Sequence, residues 1–314
     1  MYDPFDKGPL PVGVTTRAVH DPARDCVFPC EVWYPAVAEE RDAAAVPGTY
    51  PLVVFSHPSG GHRRSATFLC SHLSGHGYVV AALDHWEVVA DRAPATTDEQ
   101  LAARIDALIA NRVPDIRLLL DELLDGDLWR SADLDPGRVG IVGHSFGGWT
   151  ALATPDVEPR VKAVVALAPG GSAKPLPGMI PATLDFHWSD RDVPTLYLAA
   201  DRDTSTPLDG IEELFSRTPA PRRMVVLRRA DHLHFMDDVE QVHEATRAMT
   251  FDGDAAWIPK AMPPMTELCS GDQAHLFTRG LTLAHFDSVL MGEPAAERLL
   301  AGDIQAELAA RGVD

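Results

Sequence analysis

The feature that most constrains this chain is a series of short, strand-like apolar runs separated by longer segments with helical spacing. The runs are VGVTTRAV (12–19), CEVWYP (30–35), PLVVFSH (51–57), YVVAALDH (78–85), RVGIVGH (138–144), VKAVVALAP (161–169), PTLYLAAD (194–201) and RRMVVLRR (222–229). From the third onward they are almost unbroken in apolar character, as strands buried on both faces of a parallel sheet must be. The first two alternate more and are joined through the turn-rich HDPARD, which predicts an antiparallel edge. One helix is expected over 65–77, stopped by Gly75 and Gly77. A second is expected over 96–112, with Leu101, Ile105, Leu108 and Ile109 on one face. Pro114 should break that run and open another helix over 115–124, and SADLDPGR (131–138) reads as a turn. The alternation predicts an α/β fold: one domain over 1–314 with a mostly parallel eight-stranded sheet, helices on both faces and a small cap. The cap or lid is expected from 86–113, 170–193 and 237–280, the last two being without clear period and longer than simple connectors need to be. The last two segments of the chain, TRGLTLAHFDSVLMG and AAERLLAGDIQAELAARG, read as amphipathic helices over the sheet that could also support a homodimer.

Composition narrows the function. A formal charge of −19 argues against nucleic acid and anionic membrane surfaces as partners, since both repel a polyanion. No stretch of 18 apolar residues suggests a membrane anchor, and MYDPFDKGPLPVGVTTR lacks the basic and apolar regions of a signal peptide. The cysteines are Cys26, Cys30, Cys70 and Cys269. On one strand, Cys26 and Cys30 would lie about 13 Å apart, too far to bond. They read as reduced thiols, and the chain as cytoplasmic.

RVGIVGHSFGGWTALA (138–153) places one serine among glycines where a buried strand should hand over to a helix. Gly143-x-Ser145-x-Gly147 in that context is a nucleophile elbow. The serine takes a strained backbone conformation, and only residues without side chains at i−2 and i+2 allow the neighbouring backbone to close in. A serine hydroxyl needs a base. RRADHLHFMDD, just after the last strand, offers His232 and His234; His232, first after the turn, is favoured. An H-x-H metal pair is the other reading, but no third His, Cys or carboxylate stands at ligand spacing, so a metal site is not favoured there. The acid that orients the imidazole is sought in LYLAADRDTSTP, where Asp203 is favoured over Asp201. The order Ser145, Asp203, His232 is then that of a strand–helix hydrolase triad. The oxyanion donors are expected to be the N–H of Phe146 and that of Ser59 in His57-Pro58-Ser59-Gly60-Gly61, because Pro58 has no N–H. His57, Trp86 and His144 are candidates for the substrate pocket, with His144 more simply packed beside the nucleophile.

VVFSHPSGGHRRSATFLCSHLSGHGYVVAALDHWE, then GHSFGGWTAL, then RRADHLHFMD resembles the platelet-activating-factor acetylhydrolase branch of the α/β-hydrolases, related to dienelactone-hydrolase-like and cutinase-like polyester esterases. The likeness runs over roughly 10–240. It implies the α/β-hydrolase fold and a serine esterase for short or oxidised acyl esters, without metal or cofactor. The family pattern places its acid right after the strand that follows the elbow helix. Here that strand ends VVALAPGG, so the acid moves one strand on, to Asp203. The expected partner is a small-molecule ester. Acyl transfer, thioester cleavage or lactone formation, and a non-catalytic binding role, are the alternatives. With an ordinary imidazole, activity should rise near pH 6–7.

Overall fold

A computed structural model describes residues 2–90, 97–188, 190–219 and 221–314. The apolar runs form one eight-stranded sheet of order β1-β2-β4-β3-β5-β6-β7-β8. The strands are β1 Val12–Asp21, β2 Cys26–Pro35, β3 Thr49–Ser56, β4 Val79–Leu83, β5 Asp133–His144, β6 Val161–Leu167, β7 Thr195–Ala200 and β8 Arg222–Leu227. β1 and β2 pair antiparallel, β2 lies antiparallel to β4, and the strands from β4 to β8 are mutually parallel. The more alternating first runs thus fall at the antiparallel edge.

The helices are α1 Thr67–Gly75, α2 Trp86–Val89, α3 Asp98–Leu124, α4 Phe146–Ala153, α5 Leu208–Arg217, α6 Val239–Ala248, α7 Ile258–Ala261, α8 Gly271–Phe286, α9 Pro294–Ala301 and α10 Ile304–Ala309. α3, α4 and α5 pack on one face of the sheet and α1 and α8 on the other. Ile116, Leu119 and Leu120 of α3, Ala151 and Leu152 of α4, and Ile211 and Leu214 of α5 share one core with Val32, Val54, Ile141 and Val164. Leu69 and Leu73 of α1 and Phe277, Leu281 and Phe286 of α8 share the other with Val53, Val80, Val142 and Val165. Adjacent strand residues therefore feed opposite cores, as the two-residue period of a strand requires, and both faces being covered explains the unbroken apolar runs.

Two expectations of local structure are corrected. Pro114 does not divide two helices: α3 is continuous, with Pro114 inside it on the exposed side. The buried face that carries Leu108, Arg112, Asp115, Ile116 and Leu119 continues across the proline and holds both halves on one axis. The segment 131–138 is not a free turn, because β5 begins at Asp133. Asp133 and Leu134 pair with Thr49 and Tyr50, and regular pairing resumes at Val139 with Leu52. Between them, Asp135 accepts from the Gly137 N–H at 2.8 Å and from Arg138 Nε at 2.7 Å, so the turn residues form a bulge within the strand.

The chain folds over from β3 to β4 on one side and returns to place β5 on the other. In parallel α/β sheets, ligands settle beyond the strand carboxyl ends at such a reversal of direction. That edge carries the residues singled out above.

Candidate active site

Ser145 joins β5 to α4 at φ 58°, ψ −118°, a conformation that L-residues rarely adopt. The glycines around it are sterically required. A Cβ on Gly143 would lie 2.0 Å from the Gly147 carbonyl oxygen, and one on Gly147 would lie 2.0 Å from the Ser56 carbonyl oxygen. The strained turn is held by Ser145 N–H donating to Leu167 O at 2.9 Å, and by Gly170 N–H donating to Ser145 O at 3.0 Å.

His232 opens a short 3-10 helix, His232–Phe235, beyond β8. Its Nε2 lies 2.8 Å from Ser145 Oγ and its Nδ1 lies 2.8 Å from Asp203 Oδ2. With Nδ1–H donating to the Asp203 carboxylate, Nε2 is left to accept from the serine hydroxyl. Asp203, on the loop after β7, is itself fixed: Oδ1 accepts from the N–H groups of Ser205 at 2.8 Å and Thr206 at 2.7 Å, and Oδ2 accepts from Thr206 Oγ1 at 3.0 Å. Asp201 is exposed, and its carboxylate accepts from Ala230 N–H at 3.3 Å. Burial would depress the pKa of His232, but the charge and hydrogen bond of Asp203, with Asp231 behind them, outweigh it and raise the pKa. His234 turns away from Ser145. Its Nδ1 accepts from Asp231 N–H at 3.1 Å and its Nε2 lies 3.2 Å from Cys269 O.

Ser145 faces a cavity of about 920 Å³. Ser59, His144 and Phe146 line it, with Leu176, Met179, Ile180, Ile211, Phe251 and Ile258 among its apolar walls. Phe146 begins α4, so its N–H is one of the first-turn donors that a helix cannot satisfy internally. Ser59 occupies a turn closed by Gly61 N–H donating to Pro58 O at 3.0 Å, with Gly60 at φ +75°. His144 is buried with its ring 4.7 Å from that of His232, and burial, then the neighbouring His232, holds its pKa well below the usual histidine value.

Two pocket residues expected from sequence lie elsewhere. His57 follows β3 but is wholly buried: its Nε2 accepts from His85 N–H at 3.1 Å and its Nδ1 donates to Pro58 O at 2.7 Å. Trp86 is half-buried against the α3-side core and does not line the cavity. Nor do the described residues of 86–113; the cap-like walls come from 170–182 and 242–258, and residues 91–96 lie outside the described residues. Of the Trp, Phe and Met side chains in and beside the cap-like segments, Met179, Met236 and Phe251 line the cavity. Sequence reasoning singles out neither Ile180 nor Ile258, since nothing in their neighbourhood has a period that would assign them a face.

Behind the Ser59 turn, Ser56 Oγ lies 2.8 Å from His85 Nε2, and His85 Nδ1 lies 3.0 Å from Asp115 Oδ2. The order repeats that of the Ser145 triad, but all three side chains are sealed from solvent and tie β3, β4 and α3 together.

No group of three His, Cys, Asp or Glu side chains among the described residues is placed to hold a metal ion, and no helix there is long and apolar enough to cross a membrane. The family model of platelet-activating factor acetylhydrolase, isoform II, matches residues 7–113, the region that ends before the elbow. The chain is 25% identical over 245 residues to a bis(hydroxyethyl) terephthalate hydrolase of Streptomyces coelicolor, covering 74% of this chain and 67% of that one. It is 26% identical over 192 residues to cutinase est1 of Thermobifida alba, covering 61% and 55%. It is 27% identical over 222 residues to the platelet-activating factor acetylhydrolase of Cavia porcellus, covering 60% and 48%. The matches thus span about half to two thirds of these relatives. In three dimensions it resembles a ferulic acid esterase from Streptomyces cinnamoneus, with a TM-score of 0.63, 23% identity and coverage of 90% and 91%. By its sheet order, its elbow and its structural neighbour, the chain has the α/β-hydrolase fold, and its sequence is similar to serine esterases built on that fold.

Proposed function

We propose that the protein hydrolyses carboxylic esters with apolar acyl or aryl groups through an acyl-enzyme on Ser145. The observation that carries this reading is the continuous hydrogen-bonded line from Asp203 through His232 to Ser145 Oγ, opening on an apolar cavity. Ser145 Oγ attacks the ester carbonyl carbon while His232 Nε2 takes the hydroxyl proton. The oxygen that gains negative charge is held by the N–H groups of Phe146 and Ser59. Collapse of the tetrahedral intermediate breaks the bond to the alcohol oxygen, which leaves with the proton from His232. Water then gives a proton to the same nitrogen and attacks the acyl carbon, releasing the acid and restoring the serine. The relatives carry the names of cutinases, a terephthalate-ester hydrolase and an acetylhydrolase, and the cavity has room for groups larger than acetyl. The thiols of Cys26, Cys30, Cys70 and Cys269 form no disulfide, which supports a reducing, cytoplasmic location.

A fluorophosphonate probe, with p-nitrophenyl esters of graded chain length, tests the reading. The wild type should take one label per chain and turn over the esters; Ser145→Ala should do neither. Folded protein that takes no label, or a Ser145→Ala variant labelled as fast as wild type, overturns it. Product analysis with an added alcohol distinguishes hydrolysis from acyl transfer.

A further inference from the structure

A cluster of ionisable side chains lies behind the oxyanion turn, outside the catalytic line. Arg112 of α3 is at its centre, fully buried, with Glu87, Asp115, His57, His85 and Ser56 around it. One arm of the guanidinium donates to the His57 carbonyl at 2.7 Å and lies 3.4 Å from Ser56 Oγ; the other pairs with the Glu87 carboxylate. The guanidinium carbon also sits 4.7 Å from the centroid of the Phe146 ring. Arg112 therefore touches both parts from which the oxyanion hole is built: the strand end that leads into Ser59, and the side chain of Phe146.

We infer that Arg112 is a positioning residue that holds the two halves of the oxyanion hole in register. The inference rests on the esterase reading of Ser145. A buried cation is costly, and an apolar side chain of similar volume would fill the same space without that desolvation penalty. What the guanidinium alone supplies is a flat donor that reaches a carbonyl and lies on an aromatic face at once. The His57 carbonyl is held by Arg112, and the next carbonyl, of Pro58, is held by His57 Nδ1 at 2.7 Å and Gly61 N–H at 3.0 Å. The turn presenting Ser59 is thus anchored at consecutive carbonyls, and Phe146 is anchored from its ring. Donors fixed before the reaction stabilise charge that appears only in the transition state, so loosening them should lower kcat and leave substrate binding nearly unchanged.

The test uses Arg112→Met, which removes the donor, and Arg112→Lys, which keeps the buried cation beside Glu87 but loses the planar fork. Thermal unfolding establishes which variants are folded, and the Lys variant carries the measurement where the Met variant does not fold. With p-nitrophenyl butyrate, kcat should fall roughly 10- to 100-fold, less than the ~10²–10³ lost when an oxyanion donor is removed outright, while KM stays within about threefold. Inhibition by an arylboronate, which forms a tetrahedral adduct on Ser145, should weaken in proportion to kcat. A folded variant whose kcat stays within about twofold of wild type, or whose boronate inhibition is unchanged while kcat falls, overturns the inference. Wild-type protein that neither labels nor hydrolyses esters overturns the esterase reading itself, and this inference with it.

Discussion

His232 stands between opposing influences whose balance can be read in a pH profile. Burial favours the neutral imidazole; Asp203, 2.8 Å away, favours the cation and prevails, so its pKa is raised. The base must be neutral to accept the Ser145 proton, so a raised pKa moves the acid limb of kcat/KM upward. That limb should be centred above the ordinary histidine value of about 6.5 on which the sequence expectation rested, and profiles from pH 5 to 9 would show it. The same shift makes a contribution to stability that is complete below the unfolded-state pKa and is lost as pH rises through the folded-state value. Asp203→Asn removes the charge and the correct imidazole tautomer, and should lower kcat by about 10⁴-fold. Asp201→Asn, altering an exposed side chain that accepts from Ala230 N–H, should leave kcat within about twofold, because it meets neither Ser145 nor His232. If Asp201→Asn abolishes turnover and Asp203→Asn does not, the acid is misassigned. Ser145 and His232 were legible because each is fixed by its distance from a strand end. His57 and Trp86 were misplaced for a related reason: sequence shows that a residue follows a strand, whereas the rotation of its side chain toward cavity or core depends on neighbours such as His85 and Asp115.

At the scale of elements, the β5–α4 elbow was readable because its constraint is steric and local. The 2.0 Å approach that a Cβ on Gly147 would make to the Ser56 carbonyl cannot be relieved by a side-chain rotation, since the obstacle is backbone of β3. Gly147→Ala should therefore cost about 3 kcal/mol in urea unfolding and reduce turnover further than stability alone explains, because β3 leads into the Ser59 turn. An unchanged unfolding midpoint would refute the packing argument. Helix α3 and strand β5 show where local reading fails. Pro114 is a strong local stop, yet helical burial on both sides of it carries α3 through. Asp135-Pro136-Gly137 is a strong local turn, yet pairing of Asp133 and Leu134 with β3 draws it into the strand as a bulge. In both places, tertiary contacts distant in sequence outweigh the local preference. Because Pro114 is exposed, Pro114→Ala should restore a helical N–H without opening a cavity and stabilise the fold by up to about 3 kcal/mol. A lowered melting temperature would show that the proline's geometry is needed to aim Arg112 and Asp115.

For the whole molecule, the parallel sheet determines where chemistry can occur, and the segments beyond its carboxyl edge determine what enters. The triad is assembled from the ends of β5, β7 and β8, while the cavity walls come from the stretch after β6, the start of α5 and the chain around α6 and α7. The sheet was legible because burial on two faces leaves a continuous apolar signature. The walls were not, because Leu176, Met179, Ile180 and Phe251 sit in irregular segments whose composition does not distinguish cavity from core. Phe235, Trp188 and Met262, equally suited to a wall by type, are buried in the fold instead. This division gives a test that leaves the triad untouched. Ile180 lines the cavity and is only partly buried, so Ile180→Trp should fill space there without disturbing a packed interior. If the cavity receives the acyl chain, kcat/KM for p-nitrophenyl octanoate should fall at least about tenfold while that for the acetate changes less than about threefold, since each methylene excluded from an apolar site is worth ~10- to 200-fold. Equal losses for both esters would mean that the long group lies outside this cavity and that the 170–182 segment acts on the reacting end instead.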